Sequence, residues 1–289
     1  MKKAILASGL GLLGYLGAAA LNPFYPIYDS SDNRCYVDEN TVVTLDSVDC
    51  SRLFEQWLIS IAGRGSERCT QRFIDGDLRI APQFLSRYID GEGRVQDGPT
   101  NGVLGNDFER LRVYVSPNVE KTDSVTYALS GLTRVKDTIR DFVGEVKIKD
   151  IYHCPDSLLY DFYLIIADYT LSEDAKEEGS GVYRGIMGAI GYIADEAAGE
   201  IIPDALNDVA DGYWNRTYVG TWQNCDNPAV VKRGVWGDYR LPFTFDFDIG
   251  DGEMIPNPKY VSNGWEHIHE EYKIDESGVV VPLDKWWLR

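Results

Sequence analysis

Apolar and polar residues alternate along the segment from Phe243 to Gly250, in the densest aromatic and acidic pattern of the chain. Phenylalanine or isoleucine stands at each odd position of this segment, and threonine, aspartate or glycine at each even position. A period of two residues is typical of a β-strand with one face in a core and the other in water. We therefore expect residues 243–249 to be a strand of an α+β protein. Its predicted architecture is predominantly antiparallel β, with sandwich-like sheets, two or three short helices and an N-terminal hydrophobic helix.

Four carboxylates cluster at the end of this predicted strand, namely Asp246, Asp248, Asp251 and Glu253. The first two would share a wet face about 7 Å apart, because residues i and i+2 lie on the same side of a strand. Three interpretations stay open. The acids form a solvated face paired with nearby cations, or they bind Ca²⁺ beside a flexible glycine turn. Alternatively, Asp246 and Asp248 are the carboxylate pair of a glycan hydrolase, with Glu253 as the acid.

The G-T-W sequence at residues 220–222 resembles the G-x-W sequence with which lipocalin-type barrels begin. Arg240 would pack over the Trp222 indole through a cation–π contact. No function follows from this resemblance, because such a barrel needs about eight strands after the motif and only about seventy residues remain here. We expect Trp222 and Trp236 to lie on neighbouring strands. They are either core anchors or, with Tyr239 and Arg240, part of a binding surface.

The N-terminus predicts export. Lys2 and Lys3 precede an uncharged run over residues 4–21, and residues 17–20 are small enough for a signal peptidase. The protein is therefore expected to be periplasmic or extracellular, or to be anchored in a membrane through residues 4–21 if that run is not cleaved. The predicted division is a signal peptide or signal-anchor helix at 1–21, a linker at 22–40 and a single globular strand-rich domain at 41–289.

Five cysteines follow the export signal, at positions 35, 50, 69, 154 and 225. In an oxidising compartment this number predicts two disulfides and one thiol. Cys35 and Cys50 would close the shortest loop and are the candidate pair. Zinc or iron–sulfur chemistry has little support, because the sequence has no C-x-x-C pair and only three histidines.

The net charge of the chain limits the classes of partner that it can bind. It carries 46 acidic and 28 basic residues, a net charge of −18. Such a surface repels nucleic acid and favours cationic partners or divalent metal ions. Phosphate-binding glycine motifs are absent from the sequence. We expect a non-catalytic protein that binds a protein partner or a carbohydrate, and an accessory subunit of an envelope or membrane assembly would fit this expectation. The alternatives are the glycan hydrolase and a calcium-stabilised structural domain, and Ca²⁺ is the one candidate cofactor.

Several other elements follow from local patterns. Helical spacing predicts a helix that begins at Ser51, and alternation predicts strands over 111–115 and 125–129 that form a hairpin. Apolar residues at helical intervals predict a short helix over 135–142. The nearly continuous apolar run within 160–171 predicts a strand that is buried on both sides.

Overall fold

The computed structural model describes residues 27–29, 34–36, 42–44, 50–62, 65–86, 88–89, 95–96, 98–155, 161–193, 195, 198–203, 216–238, 241–250, 254–268, 272–274 and 280–288. The helices in this part of the chain are α1 (Cys50–Ala62), α2 (Thr70–Asp75) and α3 (Gln83–Ser86), with 3-10 helices at Pro258–Asn263 and Trp286–Leu288. The strands are β1 (Ile27–Asp29), β2 (Arg34–Tyr36), β3 (Val42–Thr44), β4 (Glu67–Arg68), β5 (Arg79–Ile80), β6 (Tyr88–Ile89), β7 (Val95–Gln96), β8 (Thr100–Leu104), β9 (Glu109–Val115), β10 (Glu120–Lys121), β11 (Thr126–Val135), β12 (Thr138–Cys154), β13 (Phe162–Glu173), β14 (Gly181–Ile193), β15 (Glu200–Pro203), β16 (Arg216–Asn224), β17 (Val231–Gly237), β18 (Tyr272–Ile274) and β19 (Val280–Pro282).

Eight of these strands form a closed antiparallel barrel. Going round the barrel they are β8, β9, β11, β12, β13, β14, β16 and β17. The ring closes where β17 pairs with β8, with Val235 opposite Val103 and Gly237 opposite Asn101. Since each barrel strand has a partner on both sides, closure removes the free sheet edges that an open sheet would expose.

The predicted sandwich-like arrangement is therefore wrong, because the sheet closes on itself. Strands of a sandwich and strands of a barrel carry the same alternation of inward and outward residues, so the pattern alone does not separate them. Closure depends on a close approach of two backbones. A Cβ on Gly102 of β8 would lie only 2.5 Å from the Cβ of Trp236 on β17.

Shorter strands extend the barrel sheet. β10 pairs with β11, β4 pairs with β12, and β15 pairs with β14 and runs parallel to β5. Three small sheets of the described residues have no strand paired with the barrel sheet. They are formed by β1, β2 and β3, by β6 and β7, and by β18 and β19.

The wall of the barrel separates two hydrophobic clusters, as β13 illustrates. Ile165 and Tyr169 belong to the cluster inside the barrel, whereas Leu164 and Ile166 belong to the cluster outside it. All four side chains are buried. The prediction of a strand buried on both sides is confirmed, because this part of the wall has the barrel core on one face and a helix on the other.

That covering helix is α1, which confirms the helix predicted from Ser51. Its apolar side packs on the outside of the barrel over β14. A Cβ on Gly188 would lie 2.7 Å from Leu58 Cδ2 and 3.1 Å from Phe54 Cζ, so the glycine lets the helix approach the wall closely.

One end of the barrel is plugged by the segment 69–86, which contains α2 and α3. Its buried side chains belong to the interior cluster and include Phe73, Leu78, Ile80, Phe84 and Leu85. The segment is tied to the wall by Arg216, which donates from Nη1 to the carbonyl oxygen of Phe84 at 2.8 Å. The opposite end carries the hairpin loops that join β8 to β9, β11 to β12, β13 to β14 and β16 to β17, and is called the hairpin end.

The strand predicted over residues 243–249 is wrong. The segment forms turns, and its one ladder contact is an isolated bridge between Asp248 and Pro256. Phe243 and Phe245 adopt left-handed backbone conformations, with φ of 56° and 50°. These break the two-residue period, so Phe243 and Phe247 are buried against the outside of the barrel while Ile249 is 54% exposed.

The helix predicted over 135–142 is also wrong. These residues end β11 and begin β12, which pair from Val135 opposite Thr138 onward. Ile139 packs outside the barrel and Phe142 inside it, so the helical spacing arose from residues on opposite faces of a strand. The strands predicted over 111–115 and 125–129 are confirmed as parts of β9 and β11, which are antiparallel neighbours. The predicted hairpin pairing is wrong, because β9 pairs with residues 131–135 of β11 and residues 127–128 pair with β10.

The N-terminal helix predicted over residues 4–21 lies outside the described residues. Among the helices of the described part, none is both long enough and apolar enough to cross a membrane.

Candidate ligand site in the barrel interior

A buried carboxylate organises the hairpin end of the barrel. Glu173, the last residue of β13, is 5% exposed. Its Oε1 accepts a hydrogen bond from the Thr133 hydroxyl, and its Oε2 accepts from the Gly181 amide at 2.8 Å and from Trp222 Nε1 at 3.4 Å. The three donors come from β11, β14 and β16, so one carboxylate joins three strands. They supply the hydrogen bonds that a buried charge needs.

Trp222, one of the predicted binding residues, therefore points into the barrel. Its ring also faces a cation, since Lys232 Nζ lies 5.9 Å from the ring centroid. The cation–π partner in the described residues is thus Lys232 of β17. The predicted partner, Arg240, lies outside them, as does Tyr239.

Deeper in the barrel, three tyrosine rings pack around Trp236. Tyr218 stacks on it almost parallel, with centroids 5.1 Å apart and an interplanar angle of 7°. Tyr169 and Tyr183 meet Trp236 edge to face at 4.9 and 5.6 Å. Trp222 and Trp236 lie on the neighbouring strands β16 and β17, and both are buried in the interior cluster.

Two hydroxyl groups of this aromatic group lack a hydrogen-bond partner among the described residues. They belong to Tyr169 and Tyr218, which are 2% and 3% exposed. Burial raises the pKa of Tyr218 to about 12 and the pKa of Tyr169 well above 10. Both phenols therefore keep their protons at neutral pH, and each buried O–H is a donor with no acceptor in the described protein.

A row of glycines lies beneath the Tyr169 hydroxyl. Gly185, Gly220 and Gly234 stand opposite one another on β14, β16 and β17. A Cβ on Gly220 would lie 2.5 Å from the Tyr169 hydroxyl oxygen, so this hydroxyl rests directly on the glycine row.

The next glycine in the row has room beside it. A Cβ built on Gly234 meets nothing closer than Leu104 Cδ1 at 3.7 Å, with Trp236 and Tyr183 ring atoms at 3.8 Å. These are ordinary van der Waals distances, so a methyl group would fit there in contact with three side chains. The unpartnered hydroxyl of Tyr169 lies over Gly220, and this space lies over Gly234. Gly220 and Gly234 are paired residues of β16 and β17.

Charged residues line the rim of the hairpin end. Glu109 bridges Lys136 Nζ at 3.0 Å and Lys232 Nζ at 2.7 Å. Burial opposes ionisation of Glu109, but hydrogen bonds from Lys232 and Lys136 outweigh it and lower the pKa of this carboxyl. The rim thus carries an ion-pair network that includes Lys232, the cation that faces Trp222.

The predicted acidic cluster lies elsewhere, on the outside of the barrel. Asp246 pairs with Lys259 Nζ and accepts a hydrogen bond from the Tyr260 hydroxyl at 2.9 Å. Hydrogen bonding to Asp246 raises the pKa of Lys259. The Asp248 carboxylate accepts from the amides of Gly250 and Ile255 at 3.0 and 3.1 Å.

Asp251 and Glu253 lie outside the described residues, so the calcium site and the hydrolase pair stay predictions. Among the side chains that are described, no three of His, Cys, Asp or Glu come together as a metal-binding group.

The prediction of two disulfides and one thiol is wrong, because three of the five cysteines carry free thiols and at most one pair can form. The candidate pair of Cys35 and Cys50 stays a prediction, since the Cys35 side chain lies outside the described part of the chain. Cys69, Cys154 and Cys225 carry free thiols. Cys154 is buried in the outer cluster, and burial raises the pKa of its thiol.

Sequence reasoning missed Tyr169, Glu173 and Gly234. A signal for the first two was present, because residues 163–173 alternate and place both at inward positions together with Leu171. A carboxylate that ends the inward face of an apolar strand indicates a buried polar network. Gly234 had no comparable signal, since its role depends on the register of three strands.

Comparison of the chain with family models, with curated proteins and with solved structures finds no match.

Proposed function

We propose that this chain is an exported, non-catalytic binding protein that holds one small molecule inside its barrel. The observation that carries the proposal is the hydroxyl of Tyr169, which is buried and without a partner in the described residues beside the space at Gly234. Buried donors are almost always satisfied in native proteins, so an unsatisfied one calls for a partner. Eight-stranded barrels are of a size that either fills with side chains or holds one small ligand.

The chemistry of the interior favours binding over catalysis. The phenols of Tyr169 and Tyr218 keep their protons at neutral pH, because burial raises the pKa of both. The carboxylate oxygens of Glu173 are already engaged by three donors. The two phenols can therefore donate hydrogen bonds to a ligand and orient it.

The hairpin end is the proposed route to the site. The segment 69–86 fills the opposite end with apolar side chains. At the hairpin end, Trp222 is 8% exposed and separates the rim from the interior. Its indole is held there by a hydrogen bond of 3.4 Å to Glu173, and this side chain is the proposed gate.

Export is the second part of the proposal, and it is supported by Lys2, Lys3 and the apolar run over residues 4–21. A binding protein with this signal would work in the periplasm or outside the cell, free or tethered as an accessory subunit. The intact mass and N-terminal sequence of protein purified from the native compartment test this part. Recovery of the full chain from the cytoplasm would contradict it.

The binding proposal is tested by native mass spectrometry of the full chain, purified without denaturation. We expect a mass excess that disappears after unfolding and refolding, and that is strongly reduced in a Tyr169→Phe variant. Tyr260→Phe is the matched control, because its hydroxyl is on the outside of the barrel and bonded to Asp246. A Tyr169→Phe variant that keeps the same bound mass as the control would overturn the proposal.

A further inference from the structure

We propose that the outer face of β9 and β11 is a docking site for the C-terminal segment of a second copy of this chain. The C-terminal segment comprises residues 283–288, and in a single copy it covers this site on its own barrel. The proposal is independent of the ligand site inside the barrel. It follows from the charge of the docking site, from the side chains that cover it and from the way in which the segment is held.

Two arginines define the docking site. Arg112 of β9 and Arg134 of β11 stand directly opposite each other, and the next pair on the same face is formed by Tyr114 and Leu132. Like charges at opposite positions of neighbouring strands repel each other, so the arginine pair requires an anionic or aromatic partner. In a chain with a net charge of −18, such a cationic surface suits an acidic and aromatic segment of the same protein.

The C-terminal segment supplies both kinds of partner to the arginines. Arg134 donates from Nη1 to Asp284 Oδ2 at 2.7 Å. The ring centroid of Trp286 lies 5.5 Å from Arg112 Cζ and 5.8 Å from Arg134 Cζ. One carboxylate and one indole therefore offset the charge of both guanidinium groups.

The second tryptophan of the segment covers the apolar part of the site. Trp287 packs on Tyr114 with ring centroids 6.2 Å apart, and both tryptophans belong to one cluster with Leu132. Trp286 and Trp287 are 7% and 6% exposed. Without the segment this face would present aromatic and aliphatic side chains to water, so it requires a cover.

The segment lies on the barrel and is not part of its sheet. Among the described residues, it is hydrogen-bonded to the barrel through the Asp284 side chain, while the Leu288 amide bonds within the segment to the Lys285 carbonyl oxygen. The strands that precede it, β18 and β19, pair with each other in a separate sheet. Trp286 Nε1 is buried without an acceptor in the described part of the chain, and this weakens the contact within one copy. The segment can therefore leave its site without breaking a ladder of the barrel.

A second copy fits the site because it carries the same segment. Exchange of an identical element between two copies reproduces every contact and is a low-cost route to dimers. Exchange is opposed by the effective concentration of the chain's own segment, which is on the order of millimolar for a short flexible connection. Association should therefore be weak in the intact protein and strong when the chain's own segment cannot compete.

The test mixes two full-length variants and measures their mass by analytical ultracentrifugation. One variant, Trp286→Ala/Trp287→Ala, keeps the site and disables the segment. The other, Arg112→Glu/Arg134→Glu, keeps the segment and disables the site. At about 50 μM we expect each variant alone to be monomeric and the mixture to form a dimer of about twice the mass. An excess of a synthetic peptide with the sequence of residues 280–289 should dissociate this dimer, and the same peptide with alanine for both tryptophans should not.

Arg184→Glu is the matched control for the charge reversal, because Arg184 is exposed on β14, away from the docking site. Mixed with the tryptophan variant, it should stay monomeric, since its segment remains on its own site.

Three results would overturn the proposal. If both variants are folded by circular dichroism and their mixture stays monomeric, the segment is a fixed part of its own barrel. A dimer that the peptide does not dissociate is held by another surface. If either variant is unfolded, the wild-type protein decides, because it should associate reversibly at about millimolar concentration and the peptide should suppress this association. Wild-type protein that stays monomeric there contradicts exchange.

Discussion

Tyr169 is the single residue on which the binding proposal depends most. Its ring is anchored edge to face on Trp236 and Tyr218, so its hydroxyl has little freedom to seek a partner. A buried hydroxyl left without a hydrogen bond costs about 1–3 kcal/mol of folding free energy. A ligand that accepts a hydrogen bond from this hydroxyl would recover that free energy. The ligand-free protein does not recover it.

Replacing Tyr169 with Phe should therefore stabilise the ligand-free protein, by up to about 3 kcal/mol. The measurement is urea denaturation of refolded protein, followed by circular dichroism. Tyr260→Phe should instead lower stability by about 1 kcal/mol, because it removes a hydroxyl that is bonded to Asp246. If Tyr169→Phe destabilises the protein as much as Tyr260→Phe does, the Tyr169 hydroxyl has a partner in the empty protein.

At the scale of elements, the plug formed by residues 69–86 is held to the barrel by more than apolar packing. Arg216 and Asp238 lie at the ends of β16 and β17 and are 6% and 8% exposed. Their charges face each other, and the same guanidinium donates to the Phe84 carbonyl. This buried pair therefore fixes the plug relative to two strands of the barrel.

Asp238→Asn should destabilise the protein by about 3–5 kcal/mol, because it removes the carboxylate that compensates a buried guanidinium. The free energy of unfolding in urea measures this loss. Glu177→Gln provides the comparison, since Glu177 lies 3.9 Å from Arg140 with half of its side chain exposed. That change should cost less than about 1 kcal/mol. Equal effects of the two substitutions would show that the Arg216–Asp238 pair is solvated.

The turn segment after β17 supports a prediction about calcium. Asp246 and Asp248 are already satisfied by Lys259, Tyr260 and two backbone amides. Chelation with EDTA should therefore leave the melting temperature unchanged, as measured by differential scanning calorimetry. A lower melting temperature in EDTA that calcium restores would establish the predicted metal site, with ligands from Asp251 or Glu253.

For the whole molecule, the sequence predicts the β-rich character and the buried β13, because hydrophobic alternation is a local property. It does not predict closure of the barrel, which depends on how β17 meets β8. Nor does it predict the site, because Gly185, Gly220 and Gly234 become neighbours only through the register of three strands. The strand prediction for residues 243–249 failed for a related reason. Phe243 and Phe245 have left-handed backbone conformations, and the segment packs on the outside of the barrel.

The closed barrel also determines how the molecule responds to alkali. Tyr169, Tyr183 and Tyr218 are buried inside it, and burial raises the pKa of all three, that of Tyr218 to about 12. Below about pH 10 these tyrosines are protonated in both folded and unfolded chains, so they do not make stability depend on pH. Between pH 10 and 12 only the unfolded chain loses these protons, and stability falls by about 1.4 kcal/mol per pH unit for each tyrosine.

We therefore expect the barrel to unfold cooperatively before pH 12, with tyrosinate absorbance and loss of the circular dichroism signal changing in one step. Tyr218→Phe should move that step to higher pH, because one fewer buried phenol favours the unfolded chain. Tyrosinate absorbance that rises gradually from pH 10 while the circular dichroism signal persists would mean that water reaches these phenols in the folded state. The closed, dry interior on which the ligand site depends would then be refuted.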